Sequence, residues 1–183
     1  MSTSTALTIP AGTWAVDPTH TRVGFVARHM MVSKVRGSFA DFSADIVIAE
    51  NPLESSLTAV VQMASIDTGN ADRDGHLRTN DFFAIDEFPT MTLTSTGFEG
   101  SGEEYTMNAD LTIKGITKPV VFELEFGGTG QDPWGNTRVG FTATTSINRK
   151  DWGIEWNAPL ETGGMLVGEK IQIEIDVELV GTP

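Results

Sequence analysis

The chain contains no cysteine among its 183 residues. That absence removes disulfides, thiolate-held zinc and thiol nucleophiles together. No apolar run approaches the roughly 18 residues of a membrane-crossing helix. The opening MSTSTALTIP has neither a basic nor an apolar segment, so no export signal is read there and a cytoplasmic protein is expected. Positive charge is scarce: 12 Lys and Arg stand against 25 Asp and Glu, for a net charge of −13. A surface of that sign repels nucleic acid and anionic lipid headgroups. A nucleic-acid partner and stable membrane insertion are therefore excluded, and any lipid is expected to be held by apolar burial rather than by a basic patch. There is no G-x-S-x-G nucleophile turn, no internal repeat and no low-complexity tract. Gly127-Gly128-Thr129-Gly130 lacks the spacing of a phosphate loop and reads as a turn.

What is present is a hydrophobic fraction of 39% and a charged fraction of 20%, globular values for a chain long enough to bury one core. Residues 1–12 are small and polar and read as a flexible tail, leaving 13–183 as a single domain. From His20 onward apolar and polar residues alternate. Val23, Phe25, Ala27 and His29 share one strand face. A second strand runs from Lys34 to Ala49, with a bulge expected near Gly37 because Phe39 and Phe42 differ in parity. Leu57, Ala59, Val61 and Met63 mark a third. Met91 and Leu93 alternate with threonines. Tyr105 to Ile113 and Val120 to Phe126 are half-buried strands separated by turns at Gly115 and Lys118-Pro119. Arg138–Asn148 and Ile171–Leu179 complete the pattern. About eight long strands, apolar on one face and joined mostly by tight turns, predict an all-β, extended antiparallel up-and-down barrel in preference to a sandwich, because closure removes the sheet edges. Strands of about 11 to 14 residues, against a usual mode of about 5 to 6, imply a barrel roughly 40 Å deep, which suits a long thin ligand.

Ser65–Pro89 breaks the alternation. Asn70 can cap a short helix over Ala71–Asn80, with Asp72 and Asp74 in its first turn and Arg78 near its end. Leu77, Phe82 and Phe83 supply apolar contacts, so the segment reads as a lid on the barrel. Asn70-x-Asp72-x-Asp74-Gly75 followed by Asp81 approaches a calcium-loop pattern, but its end positions and flanks are wrong, and acids in a helical first turn explain it better. His20, His29 and His76 have no ligand-pair spacing, so no metal site is assigned. His29 shares the face of Phe25 and is the one histidine placed toward an apolar interior. The irregular stretch from Arg149 to Gly168 carries Trp152 and Trp156, which are expected to share a cavity or mouth with the lid aromatics.

Several blocks occur in a fixed order: W-x-V-D-P-T-H (Trp14–His20), V-x-F-x-A-R-H (Val23–His29), V-R-G-S-F-x-x-F (Val35–Phe42), S-I-D-T and R-D-x-H-L-R-T-x-D-F-F (within Ser65–Phe83), E-F-P-T-M-T-L-T-S (Glu87–Ser95), L-T-I-K-G-I-T-K-P-V (Leu111–Val120), R-K-D-W-G (Arg149–Gly153) and V-G-E-K-I-x-I-x-I at the end. In them the chain resembles the YceI-like family of polyisoprenoid-binding, lipocalin-like bacterial proteins, from Trp14 to about Val180. The resemblance implies an eight-stranded barrel with one short helix covering it, holding a polyprenyl or quinone-like amphiphile, with no catalysis and no cofactor beyond such a lipid. It also leaves room for a homodimer. Phe25, His29, Phe39, Phe42, Leu77, Phe82, Phe83, Met91 and Leu93 match the positions where lining residues are expected. Met63, Met107, Trp152 and Trp156 complete the candidate set. Met91 and Leu93 stand where relatives often carry Ile and Phe, a volume change that alters ligand length or fit. The resulting expectation is a soluble carrier or sequestering protein. The alternatives are an enzyme using His29 or His76 on an isoprenoid or quinone, and a filled-core, stress-linked interaction protein.

Overall fold

The alternating segments form strands because every second side chain can be buried while the backbone satisfies its own polar groups across the sheet. In a computed structural model, which describes residues 9–181, they make one antiparallel sheet. Its strands are β1 (Gly12–Val16), β2 (Arg22–His29), β3 (Ser33–Phe39), β4 (Phe42–Ile48), β5 (Ser56–Gln62), β6 (Ile66–Asp67), β7 (Thr90–Ser101), β8 (Glu104–Ile113), β9 (Ile116–Gln131), β10 (Thr137–Asn148) and β11 (Val167–Gly181). The short ones combine. β1 and β2 lie end to end along β11, β3 and β4 lie end to end along β2 and β1, and β5 and β6 follow on β4 and β3. The result is a closed meander of eight staves. Closure rests on β11, which pairs with β10 on one edge and with β2 and then β1 on the other.

Local corrections follow from this pairing. The second stave does not bulge at Gly37; it breaks at residues 40–41, between β3 and β4, which accounts for the opposite parity of Phe39 and Phe42. Gly37 is instead a close-approach position, because a β-carbon there would run into the Phe25 ring. Gly127–Gly130 is strand, not turn: β9 continues through it to Gln131 with a register shift against Gly140 and Phe141. Pro119 lies inside β9 rather than in a turn. It sits opposite Asp110 of β8, outside the stretch that pairs with β10, so its missing N–H breaks no ladder there. The turn between β8 and β9 is only Lys114-Gly115, both at positive φ.

The helix α1 spans Ala71–Leu77 and stops short of Asn80. The Asn70 side chain caps it by accepting from Arg73 N–H at 2.9 Å. Asp74 is buried: its carboxylate accepts from the Thr68 N–H at 2.9 Å and the Thr68 hydroxyl at 2.6 Å. Arg73 in turn donates to the Thr68 hydroxyl and carbonyl, each at 2.7 Å. The chain leaves the helix because the Thr79 hydroxyl and the Phe83 N–H take up the carbonyls of His76 and Leu77. The residues that resembled a calcium loop are thus a helical turn whose central acid anchors the preceding strand. Of the tail read over 1–12, the first eight residues lie outside the described ones. Ile9 packs against the Trp14 cluster and Pro10 accepts from the Trp14 indole at 3.0 Å.

The segment between β1 and β2 is tied to the barrel by one arginine. Arg138 of β10 donates to Asp17 at 2.6 Å, to Glu178 of β11 at 2.9 Å and to Asp132 at 3.0 Å. His20 Nδ1 lies 2.9 Å from Asp17 Oδ2, the same oxygen that accepts from Arg138. The hydrogen bonds from His20, Thr19 and Arg138 hold Asp17 well below the usual carboxylate range. Burial pushes Asp132 up, but hydrogen bonds from Asn136, Arg138 and Trp134 outweigh it and hold it at about 2. The hydrogen bond to Asp17 and the charge of Glu178 raise His20 above its ordinary 6.5. A raised histidine stabilises the fold fully below its unfolded value, and that contribution disappears as pH climbs through the folded value. His20→Gln is therefore expected to lower the melting temperature at about pH 6 and to match the wild type at about pH 9. A gap that is constant across that range would refute the charged pair.

Candidate ligand cavity

The inward faces do not fill the barrel evenly. A cavity of about 220 Å³ occupies the half toward the β4–β5 connection. Its wall is the alternate residues of successive staves. These are Phe42, Ala44, Ile46 and Ile48 from β4, Leu57, Ala59 and Val61 from β5, Met91, Leu93 and Phe98 from β7, and Tyr105, Met107 and Leu111 from β8. The far wall is Phe122 and Leu124 of β9, Phe141 and Ala143 of β10, and Ile173, Ile175, Val177 and Leu179 of β11. The lining includes few polar side chains: Thr21, Ser43, Ser55, Ser56 and Tyr105. Two of these are occupied, since the Thr21 hydroxyl accepts from Glu178 N–H at 3.1 Å and the Ser55 hydroxyl accepts from Ala49 N–H at 3.1 Å. The Tyr105 hydroxyl has no hydrogen-bond partner among the described residues. Among the described residues, no Lys, Arg, His, Asp or Glu lines the space.

The other half is solid. Phe82, Trp152, Ile154, Ile113 and Val120 are buried in one cluster, with Leu77, Phe83 and Trp156 packed against it. Met107, Leu111, Phe122 and Ala143 belong both to this cluster and to the cavity wall, so they form the floor. Phe82 and Trp156 lie 5.3 Å apart between ring centroids, and His76 stands edge-on to both, at 5.0 and 4.7 Å. The Trp152 indole donates to the Leu111 carbonyl at 3.0 Å. The loop bearing these tryptophans is held by Arg149, buried without a carboxylate partner among the described residues. Its guanidinium donates to the carbonyls of Gly168, Ile154 and Trp156 at 2.9, 2.7 and 3.0 Å. Burial pulls the pKa of that guanidinium down, and the charge of Glu169 opposes the fall.

Of the residues expected to line a ligand site, Phe42, Met91, Leu93 and Met107 face the cavity. Phe82, Phe83, Leu77, Trp152 and Trp156 come together as anticipated, but as a plug rather than as a mouth. Phe39 and Met63 are buried in a third cluster, with Phe25 packed against them and its ring 5.7 Å from that of Phe39. His29 ends β2 opposite Ser33 and Val167, away from the cavity. His76 is on the lid, 2.8 Å from Asp81. The interior is therefore shorter than strand length alone suggests, because the lid aromatics consume half of it. Tyr105, Phe98, Phe141, Ala59 and the β11 isoleucines were missed as lining residues. Their strand parity was readable; which half of each strand stays uncovered was not. Asp17, His20 and Glu178 converge closely enough to resemble a metal site, but the guanidinium of Arg138 already supplies the cation there.

Comparison with known proteins agrees with this architecture. The model of the YceI-like domain matches residues 14–179. A UPF0312 protein of Photorhabdus laumondii is 39% identical over 137 residues, covering 74% of this chain and 71% of its own. The crystal structure of a Campylobacter jejuni YceI protein superposes with a TM-score of 0.72 at 30% identity, covering 85% of this chain and 90% of that one. A polyisoprenoid binding domain from Saccharophagus degradans superposes with a TM-score of 0.67 at 14% identity, covering 92% and 98%; that likeness establishes the fold.

If the plug is core rather than ligand site, Phe82→Ala should lower the unfolding free energy by about 3–5 kcal/mol, the cost of a large cavity in a packed cluster. Urea denaturation measures this. A loss well under 1 kcal/mol would mean that Phe82 is not part of a packed core.

Proposed function

The chain belongs to the YceI-like family, and we propose that its barrel binds one apolar isoprenoid-type chain in the 220 Å³ cavity as a carrier or sequestering protein. The observation that carries the reading is a wall drawn from β4, β5 and β7–β11 that is almost wholly apolar and, among the described residues, has no charged group. A dry, apolar cavity of about 150 Å³ already suffices to bind a molecule the size of benzene; this one is larger. Apolar burial supplies affinity at about 25 cal/mol per Å². With no cation on the wall, an ionised head group would be buried unpaired, which is strongly unfavourable. That favours a neutral head, such as a prenyl alcohol or quinone, or a charged head left in water. Tyr105, which shares the inward face of β8 with Met107 and Leu111, is the polar group placed to orient it. The S. degradans neighbour, described as a polyisoprenoid binding domain, supports the ligand class. The reading of a binder rather than an enzyme is supported by the placement of His29 and His76 outside the wall.

The solid plug limits the ligand. Prenyl alcohols of increasing length should bind more tightly with each added isoprene unit until the cavity is filled, and then level off. Ala59→Trp places an indole in the cavity and should weaken binding about tenfold or more, which is about 1.4 kcal/mol or more, while the melting temperature changes little. Native mass spectrometry with organic extraction of the purified protein identifies any co-purifying chain. A protein that is recovered empty and ignores every prenyl alcohol tested would overturn the proposal.

A further inference from the structure

The three-residue turn between β2 and β3 is Met30-Met31-Val32. All three side chains are exposed, Met31 to 68% and Val32 to 81%. Met30 and Met31 both have left-handed backbone, with φ of 54° and 61°. Asn and Gly adopt that conformation with least strain and are the usual residues of tight turns between strands. Here the chain holds two methionines in it, and the effect is to project large, flexible apolar side chains into water. Met165, also exposed, lies on the adjoining 158–166 loop: Met30 N–H donates to Leu166 at 2.8 Å, and Met31 lies against Gly164.

Behind this tip stand three cations, next to a loop whose exposed acids are Glu155 and Glu161. Arg28 and Lys34 are directly opposite each other in the β2–β3 register, an arrangement that like charges normally disfavour. Lys170 of β11 follows on the neighbouring strand, just before Ile171, which pairs with Ala27. All three are exposed, and none has a carboxylate partner among the described residues. Nearby Glu169 is taken by Lys150 at 2.8 Å, and Glu174 lies 3.8 Å from Arg36. The acids Glu50, Glu54, Glu103 and Glu104 are at the opposite end. β11 runs most of the barrel length in 15 residues, roughly 50 Å at about 3.3 Å per residue. That is several Debye lengths of about 8–10 Å. The net charge of −13 is a sum over the chain and does not describe how charge is distributed along the barrel.

We propose that this end of the barrel docks on anionic lipid bilayers, with Met30, Met31 and Val32 dipping into the acyl boundary and Arg28, Lys34 and Lys170 at the phosphate level. Apolar side chains at the tip with cations just behind them are the arrangement by which interfacial elements hold an anionic surface. The contact is peripheral, and it does not depend on what the cavity holds.

Co-sedimentation with vesicles tests it: phosphatidylglycerol mixed with phosphatidylcholine, against phosphatidylcholine alone, at low and high salt. Wild type should pellet with the anionic vesicles at low salt and be released by salt. Lys34→Glu, a change of two charges, should weaken that binding about 25-fold, at roughly fivefold per unit of charge. The same change turns a like-charged cross-strand pair into an opposite one, so its melting temperature should hold or rise. Binding falls while stability does not, a combination that misfolding cannot produce. Met31→Asp should also weaken binding at least tenfold. Wild type that ignores anionic vesicles, or variants that bind as wild type does, would overturn the proposal. So would a wild-type dimer that Met31→Asp splits, in the absence of vesicle binding, since the tip would then be a contact between copies.

Discussion

Everything in this molecule depends on the closure made by β11. One strand serves as partner to β10 along its whole length and to β1 and β2 in succession on the other edge. Without that double pairing the sheet would carry two long open edges, and the inward residues would face water. The weak point of closure is the gap between β1 and β2, where the backbone leaves the ladder. Arg138 spans that gap with three carboxylates. An exposed pair contributes little alone, but a planar guanidinium shared by three acids fixes the relative position of the strands that carry them.

A closed barrel of eight staves has room inside for side chains or for one small ligand, and this one has some of each. The division is made by the two irregular segments. The lid and the Arg149–Gly168 stretch both fold over the same end, and their aromatic rings fill it. Arg149 makes this affordable by capping carbonyls that the loop would otherwise bury unpaired. Among the described residues the other end receives no comparable insertion, and none of them covers its apolar wall. The ligand space is thus what the core left over, and its length is decided by the plug and not by the strands.

The two ends also differ in what they show to solvent. The plugged end presents a methionine-rich turn with cations behind it, and the open half is ringed by acids. A sum over the sequence hides this, because charge acts over a Debye length and not over the whole chain.

Much of this was legible in the sequence. Alternation with a period of two determined the strands, their inward residues and the meander, since a strand buried on one face permits no other pattern. The Asn70 cap and the acids behind it marked the helix. Of the cavity residues, Phe42, Met91 and Leu93 stand at lining positions that the family resemblance implied, and Met107 lies on a strand face read from alternation. Tertiary structure decided the rest. Parity says that Phe82 and Trp152 are apolar, not whether they meet a ligand or each other, and packing made them a plug. It says that Tyr105 and Ile173 point inward, not that their half of the barrel stays empty. The break between β3 and β4, the burial of Asp74 against Thr68 and the pairing of Arg28 with Lys34 all arise between residues that pattern reading treats separately. Local periodicity reports the face on which a side chain lies; only the assembled barrel decides what stands opposite it.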